Sequence, residues 1–328
     1  MKIFTTSSLA ILLLASAGIP SYAAATAGAE SFDFLMFDPS ARSVALGGAY
    51  TALATDSNAL FYNPAGLGRI KTNEATFMHN QYVEGLTQEY VGLATRQGWG
   101  LNLNYLNFGG IPRTRLDAQD GGIGNAGLTD MALGGGYGQA LGESISVGAG
   151  AKFMRETIDN VSASGFAADA GVLASVESLP GLSLGASVLN VGPAVRFQAK
   201  KENLPMLGRA GASYAFAAAK TNNVVTFDLT KTRTDKLRFG CGAEAVIEKL
   251  MAFRLGFTTR NDAGIGITGG VGFIWKTLSV DYAFVPFGDL GNVHRISLTW
   301  RWGTQGIVAG RTPRKSGSSE FVYFAPSR

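Results

Sequence analysis

The sequence has little cysteine and little charge, and each shortage excludes a class of protein. Its single cysteine, Cys241, cannot form an internal disulfide, and its neighbours suggest a small apolar side chain on a strand. Only 16% of the 328 residues are charged, whereas a soluble domain typically carries about 25%. Beyond the N-terminal region no apolar run reaches the roughly 18 residues of a membrane-spanning helix. A soluble domain and a helical membrane protein are therefore both disfavoured.

The residues that catalysis or metal binding would need are also scarce. The two histidines, His79 and His294, lie within strand patterns and lack the neighbours of a catalytic triad or a second metal ligand, so each is expected to be a strand-end or lumen polar residue. Glycine clusters at 134–138 and 264–272 resemble phosphate-binding loops in amino-acid sequence alone, because neither is expected between a strand and a helix. We therefore expect no enzyme activity, catalytic residue, metal or cofactor. The formal charge of +4 gives little reason to expect a nucleic-acid partner.

Glycine and alternating apolar residues are abundant instead. Glycine accounts for 44 of the 328 residues, nearly double its usual share. From 72 to 302 the dominant period is two, as in Ile296, Leu298, Trp300 and Trp302, which alternate with polar residues. We count about fourteen such segments, each near the roughly 9 to 11 residues with which a tilted strand crosses a bilayer. They begin near Thr72, Leu86, Gly98, Leu128, Glu143, Gly165, Leu182, Leu207, Asn222, Lys236, Met251, Gly264, Thr277 and Asn292.

The connections between these segments tend to alternate in length. Tight turns are expected near Gly98, Leu141, Lys220, Lys249 and Lys276, and longer loops at 109–126, 157–164 and 193–206. Short turns on one rim and longer loops on the other are typical of an outer-membrane barrel. A soluble β-sandwich would also alternate, but it should carry denser charge on its outer face and would leave free strand edges. The pattern therefore predicts an all-β fold, a transmembrane antiparallel β-barrel of about 14 strands.

Polar side chains occupy the other face of these strands, which a barrel directs into its lumen. Their charges are of both signs, which suggests no simple ion selectivity but can hold a plug through hydrogen bonds and ion pairs. For each of them a solvated or plug-anchoring role is favoured over direct substrate contact. The predicted lumen-facing polar residues are Asn102, Asn104, Lys152, Asp169, Asp228, Arg238, Glu244, Arg254, Asp281, Arg295 and Arg301.

The two ends of the chain differ from the barrel pattern. Lys2 precedes an apolar run at 9–17 and a small-x-small site at 21–23, so residues 1–23 are expected to be a signal peptide that is removed. Residues 24–71 are then an N-terminal segment, and residues 72–302 are the barrel. The basic and aromatic tail, 303–328, is expected in the periplasm, either disordered or docked to a partner.

The stretch Asp38–Ile70 differs from everything after it. Apolar residues fall at helical spacing over 46–53, which predicts a short amphipathic helix with Gly47 and Gly48 where a neighbouring surface approaches the backbone. Polar residues at 56–58 can cap a second helical turn, which ends before Pro64. A fourteen-stranded barrel encloses more space than its own side chains fill, so this segment is expected to lie inside the lumen.

The run ALGGAYTALATDSNALFYNPAGL resembles the N-terminal signature of the PorV/PorQ family of outer-membrane proteins, which belong with the FadL-type hydrocarbon transporters. In FadL-type proteins the N-terminal segment folds inside a fourteen-stranded barrel as a hatch that contains an Asn-Pro-Ala element. The matching residues here are Asn63, Pro64 and Ala65. The candidate hatch and gating residues are these three together with Gly47, Gly48 and Asp56.

The resemblance implies two functions of different classes, both in the outer membrane of a Gram-negative envelope. FadL-type proteins carry out passive transport, which implies a hydrophobic or amphiphilic small molecule as ligand and outer-membrane lipid around the wall. PorV-like proteins are accessory barrels of type IX secretion, which implies binding of secreted cargo or secretion machinery without conduction. The longest predicted loop, 109–126, is poor in large apolar residues, which departs from a transporter with an external lipid-collecting groove.

Overall fold

A sheet of fourteen antiparallel strands closes into a barrel, in which the first strand pairs with the last. The computed structural model describes residues 32–82, 85–114, 123–197 and 200–303. Two short strands within the connection at 192–206 form a separate two-stranded hairpin. The strands are β1 (Asn73–Gln81), β2 (Thr87–Ala94), β3 (Trp99–Pro112), β4 (Asn125–Leu141), β5 (Ile145–Ile158), β6 (Val161–Ser175), β7 (Leu182–Val191), β8 (Val195–Phe197), β9 (Lys200–Glu202), β10 (Leu207–Ala218), β11 (Thr221–Thr232), β12 (Arg238–Ile247), β13 (Met251–Thr258), β14 (Ile267–Trp275), β15 (Leu278–Pro286) and β16 (Asn292–Trp302).

The predicted barrel and its strand count are confirmed. Each of the fourteen predicted strand starts lies within four residues of an observed one. Large apolar side chains at alternate positions point outward, as Ile296, Leu298 and Trp300 do on β16. Among the described residues, no helix is long and apolar enough to cross a membrane.

The barrel wall is taller on one side than on the other. β3 to β6, here called the tall side, contain 14 to 17 residues each. β12 to β16, β1 and β2, here called the low side, contain 8 to 11.

The predicted loop at 157–164 is wrong, since β5 and β6 continue through it to a turn of two residues, Asp159 and Asn160. Asp159 has a φ of 53°, a positive value that hairpin turns often need and that aspartate tolerates.

The two rims carry connections of different length, as predicted. One rim, here called the turn rim, carries the connections at 95–98, 142–144, 176–181, 219–220, 248–250 and 276–277. The opposite rim, here called the loop rim, carries the longer connections at 113–124 and 192–206. Because the strand number is even, β1 starts and β16 ends at the turn rim.

The segment Asp38–Ile70, the hatch, lies inside the barrel as predicted. It contains α1 (Ala41–Ala45), α2 (Ala59–Tyr62) and a 3-10 helix, Pro64–Arg69, and another 3-10 helix, Asp33–Met36, precedes it. α1 packs against β13 to β16, while the 3-10 helix at 64–69 packs against β4 to β6. The hatch therefore crosses the lumen from one wall to the other.

The first predicted helix is in the wrong place. Ser40 caps α1 by accepting a hydrogen bond from the Ser43 N–H, and the helix ends before residue 46. Gly47 and Gly48 follow with φ values of 68° and 74°, which favour glycine and end a right-handed helix. The apolar spacing over 46–53 arises because this irregular turn is buried on several sides, not because it is helical. The second predicted helical turn is confirmed as α2, which ends at an extended Asn63.

Inward-facing glycines let the wall approach the backbone and side chains of the hatch closely. A Cβ atom on Gly171 would lie 2.0 Å from Asn63 Oδ1, and one on Gly240 would lie 2.2 Å from the Gly47 carbonyl oxygen. Real Cβ atoms do not approach so closely, so side chains are excluded from these positions. The wall glycines that contact the hatch in this way, here called the glycine belt, are Gly92, Gly100, Gly136, Gly138, Gly148, Gly171, Gly185, Gly240, Gly242, Gly256 and Gly270.

Gly171→Val should loosen the hatch without preventing barrel formation. The added side chain meets Asn63 and Pro64 of the hatch rather than a neighbouring strand, and overpacking of this kind typically costs about 1–3 kcal/mol. We expect larger or more frequent conductance steps in planar bilayers than for the unaltered protein. Gly269→Val is the matched control, because a Cβ there has no neighbour closer than 3.7 Å. Equal conductance of the two variants would contradict the close fit.

Candidate functional site: the hatch and the loop-rim cavity

A buried charge network joins α1 to the wall. Arg42 donates from Nε and Nη2 to the two carboxylate oxygens of Glu244 on β12, at 2.8 and 2.7 Å. Arg254 on β13 donates to Glu244 at 2.6 Å and to Asp281 on β15 at 2.7 Å. Because a two-pronged arginine–carboxylate contact fixes orientation as well as distance, this network determines how α1 lies in the lumen.

Asp228 on β11 holds the turn that follows α1. Its Oδ2 accepts hydrogen bonds from the Tyr50 N–H and the Thr51 N–H, both at 2.9 Å, and from the Thr51 hydroxyl at 2.6 Å. The carboxylate is buried in the wall. Three donors converge on one acidic oxygen, which fixes the backbone at 50–51 against β11.

Asn63 connects three parts of the structure. Its Nδ2 donates to the Thr51 carbonyl at 3.1 Å and to the Val172 carbonyl of β6 at 3.0 Å. Its Oδ1 accepts from the Ala65 N–H at 3.2 Å and so caps the 3-10 helix that Pro64 opens. The Asn-Pro-Ala element therefore fixes the fold of the hatch and its contact with the wall at the same time.

Near the turn rim, Glu74 on β1 anchors the turn before α2. One carboxylate oxygen accepts from the Ser57 N–H at 2.8 Å and from the Ser57 hydroxyl at 3.0 Å, and the other lies 2.6 Å from Nε of Arg301. The neighbouring Asp56 accepts a hydrogen bond from the Tyr50 hydroxyl, which ties two turns of the hatch together.

The eleven predicted lumen-facing polar residues all lie on the inner face of the barrel, but they do not form one site. Asp228 and Glu244 contact the hatch directly, whereas Lys152, Asp169 and Asn102 line a small void of about 20 Å³ beside it. The remaining residues pair with other wall residues. Asn104 accepts a hydrogen bond from Gln88, and Arg254 joins Glu244 to Asp281. Arg295 donates to the Tyr82 hydroxyl, and Arg301 contacts Glu74 and Ser279. Arg238 lies near the loop rim, where it pairs with Asp235 and Asp262.

The two histidines lie outside the lumen. His79 and His294 are on the outward face near the loop-rim ends of β1 and β16. His79 contacts Glu89 at 2.6 Å and His294 contacts the Tyr282 hydroxyl at 2.7 Å. Within the described ranges, no three histidine, cysteine, aspartate or glutamate side chains are grouped as metal ligands.

Sequence reasoning missed the charged partners within the hatch itself. Besides Arg42, these include Asp38, whose Oδ2 accepts from Arg260 Nη1 at 3.0 Å and whose Oδ1 lies 3.5 Å from Arg209 Nη2. Arg209 is buried, and its guanidinium lies 4.9 Å from the centre of the Tyr62 ring. The signal available in the sequence was the presence of a few charged residues, those at 38 and 42 included, in a segment of mostly small and apolar residues.

A cavity of about 360 Å³ lies at the loop rim, on the low side of the barrel above the hatch. Its apolar side includes Phe37, Tyr82 and Phe287, whose rings meet edge to face at 5.2 and 5.6 Å. The chemistry of the lining suits a molecule with both an apolar and a polar part. The charged residues of its other side are Asp33, Asp38, Asp235, Lys236, Arg238, Arg260, Asp262 and Arg295.

Most charges of the cavity neutralise one another. Arg238 donates to Asp235 at 2.9 Å and to Asp262 at 2.5 and 2.6 Å. The hydrogen bonds from Arg238 hold the pKa of Asp262 below its ordinary value, so this pairing persists at neutral pH and is lost only as the pH falls through that lowered pKa.

The connection at 192–206 folds inward and covers the tall side of the lumen. Val195 on β8 and Leu204 are buried in an apolar cluster with Phe32, Phe34 and Leu106. The backbone N–H of Phe32 also donates to Glu156 on β5 at 2.9 Å. The segment before the hatch therefore packs between this connection and the wall, whereas the cavity described above lies on the low side.

Solved structures of similar fold define the class of fold. The toluene transporter TbuX of Ralstonia pickettii is 16% identical with a TM-score of 0.57, over 81% of this chain and 98% of TbuX. The CymD monoaromatic hydrocarbon channel is 12% identical with a TM-score of 0.56, over 80% of this chain and 97% of CymD. The Pseudomonas putida toluene transporter TodX is 11% identical with a TM-score of 0.50, over 78% of this chain and 95% of TodX. The fold is that of the FadL-like barrels.

A family model assigns the chain to a family. The model for an uncharacterised protein family, UPF0164, matches residues 13–301, so the chain belongs to this family. No curated protein matches the sequence. The solved relatives are transporter or channel barrels by name, not enzymes.

Ala49→Cys should resist a bulky thiol reagent in the folded protein. Ala49 is 0% exposed between the hatch turn and the wall, so a large maleimide cannot reach it until the protein is denatured. Cys241 is first replaced by alanine, since it is the chain's one native cysteine. Lys236→Cys, on the exposed loop rim, is the positive control and should react quickly. Ready labelling at position 49 would show that the hatch is not inside the barrel.

Arg42→Ala should release α1 from the wall. Loss of one partner from a buried ion pair typically costs about 3 kcal/mol or more, which is about a hundredfold in the population of the undocked hatch. We expect proteolysis within 40–70 to accelerate by a similar factor, because cleavage follows the open population. Lys220→Ala is the control: its ion pair with Glu248 has side chains 84% and 64% exposed and should contribute little. Unchanged proteolysis of the Arg42 variant would exclude a holding role for this pair.

Proposed function

We propose that this chain is an outer-membrane, FadL-like barrel of the PorV/PorQ type that passively transports a hydrophobic or amphiphilic compound. The observation that carries the proposal is the cavity of about 360 Å³ at the loop rim, with aromatic rings on one side and charged groups on the other, directly above a hatch that closes the barrel. The fold shared with TbuX and CymD, a toluene transporter and a monoaromatic hydrocarbon channel by name, supports it.

The proposed orientation places the loop rim outside the cell and the turn rim in the periplasm. Outer-membrane barrels have short periplasmic turns and longer external loops, and both ends of this barrel lie at the turn rim. The strands of the low side, with 8 to 11 residues, are close to the roughly 9 to 11 that a tilted strand needs to cross a bilayer. The proposed signal peptide, 1–23, and all of the tail after residue 303 lie outside the described residues.

Transport in this proposal requires movement of the hatch. The cavity ends at Val44, Gly47 and Gly48, and below it the glycine belt brings the wall into contact with the hatch backbone. A ligand in the cavity would lie against Phe37 and beside the Asp38–Arg260 ion pair, which ties the start of the hatch to the loop at 259–266. Separation of this pair and of Arg42 from Glu244 would let α1 leave the wall.

The second candidate is a non-conducting accessory barrel of type IX secretion that binds cargo or secretion machinery. The closeness of the hatch to the wall favours it, because a permanently closed barrel would need such a fit. In this alternative the hatch is a structural core, and a binding surface for proteins would replace the path for a ligand.

Uptake by whole cells tests the transport proposal. Gram-negative cells without their own FadL-type transporters would express the protein and receive labelled toluene or labelled dodecanoate. We expect faster uptake of at least one probe than in cells with an empty vector, and about a tenfold loss with Phe287→Glu, which places a charge on the apolar side of the cavity. Leu290→Glu is the matched control in the same connection, since Leu290 is 54% exposed and does not line the cavity.

Native mass spectrometry of the protein from its own membrane separates the two candidates. A monomer with a retained apolar or amphiphilic molecule supports transport. A stoichiometric protein companion, combined with uptake no faster than in the vector control, would overturn transport in favour of the accessory role.

A further inference from the structure

Two neighbouring connections at the loop rim carry an unbalanced group of cations. Strand β10 pairs with both β7 and β11, so the connections at 192–206 and 233–237 lie side by side, and the Arg233 N–H donates to the Met206 carbonyl at 3.2 Å between them. The cations of this group, here called the basic rim, are Arg196, Lys201, Lys231, Arg233 and Lys236.

The carboxylates near the basic rim are fewer than its cations, and one of them, Glu202, adjoins Lys201 in the small hairpin. The nearby Asp235 and Asp262 both pair with Arg238, and none of the five cations forms a salt bridge within the described part of the chain. In the small hairpin, Arg196 lies directly opposite Lys201, and like charges at opposed positions repel. Such an arrangement is stable when an anionic group lies between or beside the cations.

Exposed apolar side chains continue directly below these cations on the outer wall. Leu229 and Phe239 are opposed on β11 and β12 and are 37% and 38% exposed. Lys231 is two residues beyond Leu229 on the same outward face, and Lys236 adjoins Leu237, which is 61% exposed. A free anion would contact only the cations, whereas a lipid with phosphate groups and acyl chains matches both parts of this surface.

We propose that the basic rim and the outward face of β11 and β12 bind a phosphate-bearing lipid of the outer leaflet. The phosphates contact Lys231, Arg233 and Lys236, with Arg196 and Lys201 completing the anion site, and the acyl chains cover Leu229 and Phe239. The inference rests on the proposed outer-membrane location, but it does not depend on what the barrel transports.

The test is a calorimetric titration of the full protein, in neutral detergent micelles, with lipid A that carries two phosphates. The triple variant K231Q/R233Q/K236Q should bind about a hundredfold more weakly, since each cation near such a surface contributes about a tenfold or smaller factor. The matched control is K220Q/K249Q/K276Q, which removes three exposed cations from the turn rim and should leave binding unchanged. Lipid A without phosphates should not bind measurably.

Three results would overturn the proposal: equal affinity of the basic-rim variant and the unaltered protein, equal loss in both triple variants, or full displacement of the lipid by free pyrophosphate. If the triple variant does not fold, the double variant R196Q/K201Q tests the cations of the hairpin independently. We expect its affinity for lipid A to fall about tenfold, and an unchanged affinity would contradict the proposed site. Probe uptake by K231Q/R233Q, which leaves the cavity-lining Lys236 in place, should equal that of the unaltered protein, so failure of lipid binding and failure of transport are distinguishable.

Discussion

The contact between the hatch and the inner wall is the interaction on which the rest of the structure depends. A barrel of fourteen strands is too wide for its own side chains to fill, so the hatch supplies the missing core. The wall makes room for it by presenting glycine where backbone meets backbone, as at Gly148, where a Cβ would lie 2.2 Å from the Pro64 carbonyl oxygen. The high glycine content of the chain is in part a consequence of this fit.

Polar groups of the hatch impose a second constraint. Most residues of the hatch are buried, so its N–H and carbonyl groups need partners from the wall, and Asp228 and Ser187 supply them at residues 50–51 and 62. Buried ion pairs such as Arg42 with Glu244 add less net stability than their geometry suggests, because both charges lose hydration. Their effect is to define one position of the hatch, and any transport must exchange that position for another.

The sequence was a good guide to the barrel and a poor guide to its interior. Alternation of large apolar and polar residues, as on β16, predicts strands because a barrel wall in apolar surroundings tolerates few polar side chains on its outer face. The helix expected over 46–53 failed because the spacing of buried residues does not distinguish a helix from a glycine turn that is buried on all sides. The loop expected at 157–164 failed because small and polar residues, such as Ser162 and Ser164, also suit strands that rise above the rest of the wall.

The sequence indicated which wall residues face the lumen, Asp228 and Glu244 among them, but not which residue of the hatch each one contacts. Arg42 and Glu244 are separated by 202 positions, and only the register of the closed barrel brings them together. The residues of the loop-rim cavity come from the hatch and from several strands, so no local pattern marks them. By contrast, Asn63 was singled out through its Asn-Pro-Ala context, in which its contact with the Ala65 N–H is local, whereas its contact with β6 has no local signal.

Hydrogen exchange of the folded protein in detergent, resolved over residues 43–63, tests the central claim most directly. If the hatch is part of the folded core, its amides, including the Tyr50 N–H bound to Asp228 and the Asn63 N–H bound to the Ala59 carbonyl, should exchange as slowly as those of β4 and β5. Exchange of this segment at the rate of an unstructured peptide, beside a protected barrel, would contradict a docked hatch and the closed lumen that depends on it.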